Sequence, residues 1–499
     1  MAEKQMQSLA RDTAIYGVSS ILGKFLNWLL VPMYTYVLTG SADYGQVANL
    51  YAWSALLLVI MTYGMETGFF RFANKNKEQA SKVYGNTLLS VGVTSLIFAV
   101  TTIAFASPIA SVLGYGEHPE YIAMLGAVIA MDALGSIPFA WLRFSNRPIK
   151  FASLKLLMII TNILFNIFFL VVCPWIYTRS PELISWFYKP DYGVGYVLVA
   201  NVIQTVVVTL ALLPEIRKAN FSFESALLKK ILAYSLPLMI LGIAGIMNQT
   251  LDKIIFPFLM ADKELAISEL GIYSACFKIS MVMMMFTQAF RYAYEPFIFA
   301  QHKDKNSNAA YADAMKYFVI FSWLIFLALV FYLDLIKYLI RSDYRVGLRV
   351  IPIVLISYIF QGVFFNLSLW YKLTDRTHYG AWISIIGTII TLVVNVIFVP
   401  LISYMASAWA SFACYLVMMI ISYFLGQKYM PINYDLKKIG FYSILAMGLY
   451  AVSLLINTPF LVATVALKTV LLVIFITIVI KRDFPLKSIP YLSRFFNRN

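Results

Sequence analysis

The sequence is poor in the residues that build metal centres and disulfide frameworks. It contains three cysteines and three histidines among 499 residues. The cysteines fall in or at the ends of apolar segments, where a thiol is most simply a small buried side chain. The histidines lie in separate loops and share no ligand spacing. We therefore expect no metal, no disulfide and no cofactor. These residues are Cys173, Cys276, Cys414, His118, His302 and His378.

Charge is scarce as well. Charged residues make up 13% of the chain, hydrophobic residues 61%, and the mean hydropathy is +0.78. This composition excludes an ordinary water-soluble fold. A membrane-spanning helix requires roughly 20 apolar residues, and such stretches follow one another almost from end to end. The sequence predicts an all-α polytopic membrane protein with about 14 transmembrane helices and no separate soluble domain.

The interruptions between apolar stretches set the predicted helix boundaries. The predicted helices are approximately residues 12–38, 44–72, 84–114, 119–145, 151–177, 193–214, 229–260, 268–300, 311–340, 346–372, 379–402, 404–429, 436–456 and 460–481. Because fourteen is even, both termini should lie on one side of the membrane.

Basic residues outnumber acidic residues by 39 to 24, and their distribution indicates topology rather than nucleic-acid binding. If the N-terminus is cytoplasmic, 26 of the 39 lie in cytoplasmic segments and only six in outer loops. This asymmetry follows the positive-inside rule and places both termini in the cytoplasm. The remaining seven basic residues lie within predicted helices.

The longest cytoplasmic connection, residues 214–230, divides the chain. We expect an N-terminal lobe at 1–214, a linker at 215–230, a C-terminal lobe at 231–429, and two further helices with a cytoplasmic tail at 430–499.

Each lobe opens in a similar way. Leu22-Gly23 in the first helix is followed by the turn Asp43-Tyr44-Gly45, and Leu241-Gly242 in the seventh by Glu269-Leu270-Gly271. An acid-x-Gly turn at corresponding places suggests an internal duplication of about six helices, a recurring feature of transporters.

Several of these segments resemble the Wzx-type polysaccharide-repeat-unit flippases, which belong to the multidrug/oligosaccharidyl-lipid/polysaccharide exporter superfamily. The segments that carry the resemblance are Tyr16 to Lys24 (YGVSSILGK), Asp43-Tyr44-Gly45, Gly64-Met65-Glu66, Arg71-Phe72, Asp252-Lys253-Ile254-Ile255 and Glu269 to Ala275 (ELGIYSA). The resemblance extends over the whole chain in length and topology.

The resemblance implies two pseudo-symmetric six-helix lobes arranged as a V, plus two C-terminal helices. It also implies a polyprenyl (undecaprenyl) diphosphate-linked oligosaccharide, moved from the cytoplasmic to the outer leaflet of a bacterial inner membrane by alternating access. Expected partners are membrane lipids, H⁺ or Na⁺ as a driving ion, and the polymerase and chain-length machinery of polysaccharide biosynthesis. Nucleic acid is not expected.

A charge at the centre of a spanning helix costs about 2.5–3.5 kcal/mol on insertion scales, so such charges mark functional candidates. Lys24 and Asn27 share one stripe of the first helix. Lys24 is a candidate contact for the substrate diphosphate. The alternative is a structural partner for a buried acid such as Asp132 or Glu66.

The eighth predicted helix carries a second polar stripe that includes Gln288, Arg291 and Glu295. Arg291 and Gln288 are candidate cavity-lining contacts for the substrate. An ion pair between Arg291 and Glu295, one turn apart, is the structural alternative.

Lys278 lies at a depth similar to Asp252 and Lys253. We expect either an Asp252–Lys278 ion pair or a substrate contact, and Lys253 is a further substrate-contact candidate. Arg71 ends the second helix and is either a candidate at the cavity entrance or a positive-inside anchor. Lys155, near a predicted helix end, is accounted for by snorkelling.

Asp132 is the first candidate for a coupling carboxylate, because it shares a helix face with Ser136 and Arg143. Glu66 is the second, and Glu295 and Asp252 are further candidates. Burial makes a carboxyl group easier to protonate, which would allow proton exchange during a transport cycle.

Three classes of function compete: a flippase for a lipid-linked oligosaccharide, a small-molecule or multidrug antiporter on the same fold, and an integral-membrane enzyme. A multidrug antiporter on the same fold would require net-acidic cavity walls, whereas Lys24 and Arg291 are basic. A flippase for lipid-linked peptidoglycan precursors stays open. An enzyme such as a polymerase or acyltransferase would display a large outer loop or paired His and Asp residues near a membrane face. The sequence has neither, so we expect no enzymatic activity.

Overall fold

The computed structural model describes residues 17, 21–221, 223–301, 307–456 and 458–483, with the side chains at 293, 295–301 and 307 excepted. Every regular element in these ranges is helical, and no strand occurs in them. The prediction of an all-α fold is confirmed.

The described residues form a succession of α-helices. They are α1 Leu30–Val37, α2 Ser41–Thr62, α3 Met65–Lys75, α4 Ala80–Ala104, α5 Ala106–Leu113, α6 Pro119–Phe144, α7 Pro148–Ile167, α8 Cys173–Arg179, α9 Pro181–Ile184, α10 Gly193–Ile216, α11 Ser225–Leu259, α12 Lys263–Gln301, α13 Ser307–Phe331, α14 Leu333–Ile336, α15 Ile351–Leu367, α16 Leu369–Leu373, α17 Thr377–Ile402, α18 Tyr404–Tyr429, α19 Leu436–Leu454 and α20 Leu461–Asp483. Residues 21–28 are also helical.

Within the described residues, twelve helical stretches are long and apolar enough to cross a membrane. The chain is therefore a multi-pass membrane protein. The predicted first helix begins outside the described residues, and α19 is not among the twelve. The count of fourteen stays a prediction.

The predicted helix 44–72 is broken in its middle. Tyr63 and Gly64 adopt left-handed backbone conformations, with φ of 31° and 70°, and separate α2 from α3. A methyl group on Gly64 would lie 2.5 Å from the carbonyl oxygen of Ser235 on α11. The bend therefore requires glycine for both conformation and space.

The predicted helix 151–177 contains a π-helical turn, Phe168–Val172, between α7 and α8. Pro174 lies just beyond it. Proline lacks the N–H that would bond to the carbonyl four residues earlier, and its ring clashes with that carbonyl. The wider turn at Leu170 relieves this clash. The predicted helix 311–340 is likewise shorter than expected, because α13 ends at Phe331.

The chain forms two compact units. The first comprises residues 1–278 and 381–414, and the second comprises 279–380 and 415–499. These units reflect packing density, whereas the predicted lobes at 1–214 and 231–429 reflect a sequence duplication. The lobes remain a prediction.

In the second unit, polar contacts join α20 to α14 and to Tyr332, which directly precedes α14. Lys468 Nζ lies 2.8 Å from Asp334 Oδ2, and the hydroxyls of Tyr332 and Thr469 lie 3.0 Å apart. Burial alone would raise the pKa of Asp334, but the hydrogen bond and charge of Lys468, aided by Lys337, hold that pKa below its ordinary value.

Candidate functional site

A polar cavity of about 430 Å³ lies inside the first unit. Its wall is formed by α2, α3, α6, α7 and α10, and it combines charged, hydroxyl and aromatic side chains. The polar lining residues are Thr62, Glu66, Asp132, Ser136, Arg143, Lys155, Thr205 and Thr209. A cavity with four ionisable groups, lined by helices of membrane length, is the strongest candidate for a functional site in this unit.

Glu66 and Arg143 form an ion pair at one side of the cavity. The Arg143 guanidinium donates a hydrogen bond to Glu66 Oε1. Glu66 lies in the first turn of α3 and Arg143 in the last turn of α6, positions at which the two helix dipoles favour these charges. The break at Gly64 places Glu66 at the start of a helix. Both side chains keep about a third or more of their surface exposed, so the pair remains accessible.

Asp132 and Lys155 provide the second pair of opposite charges. The charge of Lys155 acts on Asp132, and Thr205 lines the same cavity. Lys155 Nζ also lies 4.2 Å from the ring centroid of Phe139, a cation–π distance. Asp132 lies deep in the helix bundle but retains some surface, because it faces the cavity.

The cavity is balanced in charge, with two acids and two bases. It also presents hydroxyl groups and the rings of Phe139 and Phe151. Such a lining can form directional hydrogen bonds with a polyhydroxylated ligand and stack against its apolar faces. Within the described ranges, no group of three or more His, Cys, Asp or Glu side chains could hold a metal ion.

The structure thus brings Asp132 and Glu66 into one cavity, where Arg143 and Lys155 also lie. From the sequence alone, Arg143 is one of the cytoplasmic basic residues and Lys155 is explained by snorkelling. The position of Lys155, seven residues inside a helix that begins at Pro148, is the feature that could have identified it as a charge within a spanning helix. The signal for Arg143 was its shared helix face with Asp132.

Asp252 and Lys253 are paired with each other. Lys253 Nζ lies 3.1 and 3.0 Å from the two Asp252 carboxylate oxygens, and the Tyr273 hydroxyl donates to Asp252 Oδ2 at 2.8 Å. Lys253 also lies 3.8 Å from the ring centroid of Phe277. Asp252 and Lys253 are both buried. This contact satisfies the charge of Lys253 within the protein.

The predicted Asp252–Lys278 ion pair is wrong, because Asp252 takes its neighbour in sequence as partner. Lys253 can bend back along its own helix to reach Asp252. The carbonyl oxygen of Lys278 accepts a hydrogen bond of 2.7 Å from Trp28 Nε1.

Lys24, Asn27 and Arg71 also belong to the first unit. Lys24 is half-buried and Asn27 is exposed. Glu66 pairs with Arg143, and the charge of Lys155 acts on Asp132, while both interpretations of Lys24 stay predictions.

Arg71 is exposed near the end of α3 and stacks on the Tyr234 ring at 4.0 Å. It is therefore anchored by an aromatic contact while its charge remains accessible.

Arg291 and Gln288 belong to the second unit. The Arg291 guanidinium lies 4.6 Å from the ring centroid of Phe365, and Gln288 Nε2 donates to the Tyr292 hydroxyl at 3.3 Å. The side chain of Glu295 lies outside the described residues, so the Arg291–Glu295 pair stays a prediction.

A network of uncharged groups in the first unit was not predicted from the sequence. Tyr34 donates to Asn166 at 2.9 Å, Asn162 donates to Asn201 at 3.0 Å, and Asn201 donates to Tyr51 at 2.7 Å. Asn166 Nδ2 completes the chain with Asn162 Oδ1 at 3.2 Å. The spacing of Asn162 and Asn166, one helical turn, was the available signal. The network links four helices of the first unit, namely α1, α2, α7 and α10.

Comparison with solved structures shows the fold. A structure described as lipid II flippase MurJ in an inward closed conformation matches with a TM-score of 0.72 and 15% identity, covering 94% of this chain and 98% of that one. An inward-facing multidrug resistance MATE family transporter of the MOP superfamily matches with a TM-score of 0.62 and 14% identity, covering 81% and 94%. A mutant of the Vibrio cholerae MATE transporter VcmN matches with a TM-score of 0.59 and 13% identity, covering 85% and 97%.

A comparison with curated proteins finds none that matches. The model of the MatE family matches residues 243–397. The model of the family described as polysaccharide biosynthesis protein matches residues 9–300, which is more than half of the chain. The chain therefore belongs to the polysaccharide biosynthesis protein family, a Wzx-type flippase branch of the multidrug/oligosaccharidyl-lipid/polysaccharide exporter superfamily.

Proposed function

We propose that this protein moves a polyprenyl-diphosphate-linked oligosaccharide from the cytoplasmic to the outer leaflet of a bacterial inner membrane. The observation that carries the proposal is the charge-balanced, hydroxyl-lined cavity inside a unit of membrane-length helices. Membership of the polysaccharide biosynthesis family supports it. Movement occurs by alternating access, and the product supplies polysaccharide synthesis at the outer face.

The cavity suits the saccharide part of this substrate. Sugar hydroxyls both donate and accept hydrogen bonds, so they pair with carboxylates and with ammonium or guanidinium groups alike. The rings of Phe139 and Phe151 lie 5.4 Å apart and give an apolar surface against which a pyranose can pack.

The diphosphate requires accessible cations. Of the candidates from the sequence, Lys24, Arg71 and Arg291 suit this role best, with Asn27 and Gln288 as neutral neighbours. Lys253 is a weaker candidate because Asp252 already compensates its charge. Lys278 remains a substrate-contact candidate.

Asp132 is the proposed coupling carboxylate for H⁺, and Glu66 is the second. Each lies beside a base that would respond to its protonation, Lys155 and Arg143 respectively. A proton taken up by Asp132 releases Lys155 from its counter-charge, which changes the polarity of the cavity. We also propose that both termini lie in the cytoplasm and that the protein associates with a polysaccharide polymerase.

An organic-cation exporter is the less favourable alternative. A cation pump requires excess negative charge in its cavity, whereas the two acids here are matched by two bases. A flippase for lipid-linked peptidoglycan precursors is chemically closer, since that substrate also joins a polyprenyl diphosphate to sugars. Because the fold is similar to that of a lipid II flippase, the experiment described next also tests this alternative.

The test is the lipid profile of a strain that lacks the protein. A lipid-linked oligosaccharide repeat unit should accumulate on the cytoplasmic face, and the wild-type gene should clear it. Lys24→Ala and Arg291→Ala should each restore protein abundance without restoring surface polysaccharide. Accumulation of a peptidoglycan precursor would contradict the proposal, as would full polysaccharide in both variants.

A further inference from the structure

A second cavity, in the other unit, has the opposite character. It encloses about 400 Å³ between α13, α15, α18 and α19, and its lining is almost entirely apolar. Its floor includes Trp323, which is 4% exposed, and its rim includes Phe424, which is 67% exposed. The cavity is therefore a groove that opens at the protein surface.

The groove runs parallel to the helices. Its lining extends along α15 from Ile359 to Leu367, which is about 12 Å at 1.5 Å per residue. Three of these helices, α13, α15 and α18, belong to stretches of membrane length, so their outer surface meets hydrocarbon. An elongated slot of this length has the shape for part of one acyl chain.

Water is a poor occupant. The indole N–H of Trp323 at the floor already donates to Ser443 Oγ at 2.8 Å, and the Ser443 hydroxyl donates to the Ile439 carbonyl oxygen at 2.8 Å. A buried water needs two to four polar partners, which this satisfied floor does not offer.

One end of the groove is basic. Leu436 on the rim is followed directly by Lys437, an exposed residue that forms no ion pair in the part of the chain described. The nearby acids are already engaged: Asp435 Oδ1 accepts from the Lys438 backbone N–H, and Asp483 Oδ1 accepts from Lys438 Nζ at 2.6 Å. Lys428 lies one turn beyond Phe424 and is exposed. The mouth of the groove therefore carries excess positive charge.

We propose that this groove binds an anionic phospholipid, with one acyl chain along α15 and the headgroup at Lys437. The apolar floor selects hydrocarbon, and the basic mouth selects a negative headgroup over a zwitterionic one. The site lies in a different unit from the charged cavity and does not rest on the proposed transport function.

The test uses purified full-length protein in detergent micelles. The probes are phosphatidylglycerol and phosphatidylcholine that carry identical bromine-labelled chains, which quench nearby tryptophan fluorescence. We expect saturable quenching by phosphatidylglycerol, with a component that disappears in Trp323→Phe. Quenching that is the same in the wild type and Trp323→Phe would overturn the proposal.

Two further variants test the chain and the headgroup separately. Val363→Phe places a ring in the groove and should weaken binding at least fivefold, whereas Val393→Phe, on a 47% exposed position outside the groove, should not. Lys437→Gln should weaken phosphatidylglycerol binding about fivefold and leave phosphatidylcholine unchanged, while Lys437→Arg retains the preference. Equal binding of both lipids to the wild type would overturn the proposal.

A polyprenyl phosphate is added as competitor. If the polyprenyl phosphate displaces labelled phosphatidylglycerol at lower concentrations than unlabelled phosphatidylglycerol does, the groove binds the substrate tail. That result would overturn the phospholipid proposal. Each variant is first checked for a cooperative thermal transition. If Val363→Phe does not fold, the results for Trp323→Phe and Lys437→Gln decide whether the phospholipid proposal holds.

Discussion

Gly45 and Gly271 pack against each other's segments. A methyl group on Gly45 would overlap the carbonyl oxygen of Ile267, and one on Gly271 would overlap the carbonyl oxygen of Ser41. The hydroxyls of Ser41 and Ser268 meet at 2.6 Å beside them. The two acid-x-Gly segments that the sequence presents as repeated turns lie inside the helices α2 and α12, and they are partners in one reciprocal contact between these helices.

This contact predicts that Gly45→Ala destabilises the protein. The added methyl group meets backbone rather than a movable side chain, and such overpacking costs about 1–3 kcal/mol. The matched control is Gly448→Ala, because a methyl group there meets nothing within 4 Å. Thermal unfolding in detergent should show a lower Tm for Gly45→Ala and an unchanged or higher Tm for the control. Equal Tm values would show that the α2–α12 crossing adapts freely.

The same crossing predicts a crosslink. In a Ser41→Cys/Ser268→Cys double variant, the two sulfur atoms would lie close enough for a disulfide, since the native hydroxyls are in contact. Oxidation should stop transport if α2 and α12 separate during alternating access, and a reductant should restore it. The single variants serve as controls for oxidation at the buried native cysteines. Full transport by the crosslinked protein would mean that this contact stays closed throughout the cycle.

Much of the fold follows from hydropathy, because a helix exposed to lipid must be apolar over most of its length. The sequence did not predict the break at Gly64, because hydropathy averaged over a window of residues does not register a single residue with positive φ. The wide turn before Pro174 was missed for the same reason. Both are decided by backbone sterics and tertiary contacts rather than by average hydropathy.

The sequence predicted the acidic residues of the candidate site but not its basic residues. Asp132 and Glu66 stand out because few acids occur in apolar spans. Arg143 lies in the last turn of α6, and Lys155 lies near the end of a predicted helix, positions where basic side chains commonly anchor a helix or snorkel to the membrane interface. Only the folding of α6 and α7 around one cavity reveals that each base faces one of these acids.

The contact between Asp334 and Lys468 predicts a dependence of stability on pH. Because the folded protein holds the pKa of Asp334 below its ordinary value, this contact stabilises the fold above the unfolded pKa of about 4. The stabilisation is lost as the pH falls through the lower folded pKa. Asp334→Asn should therefore reduce Tm at pH 7, and the difference from the wild type should shrink toward pH 3.

Glu117→Gln is the control for Asp334→Asn, because Glu117 is an exposed acid in the loop between α5 and α6. It should leave Tm unchanged at both pH values. A difference between Asp334→Asn and the wild type that persists undiminished at pH 3 would assign the effect to packing rather than to charge.

Lys155 and Asp132 predict a rescue by double substitution. Lys155→Met leaves the Asp132 carboxylate deep in the bundle without its counter-charge, which costs about 3–5 kcal/mol for a fully buried pair and less where a cavity admits water. Protein abundance should therefore fall in Lys155→Met and recover in Lys155→Met/Asp132→Asn. Transport by the double variant should nevertheless remain insensitive to a pH gradient, because asparagine cannot exchange a proton. Lys189→Met, at an exposed position between α9 and α10, controls for the loss of a positive charge. A double variant as scarce as Lys155→Met would show that the two charges are not partners, and a normal response to the gradient would remove Asp132 as the coupling carboxylate.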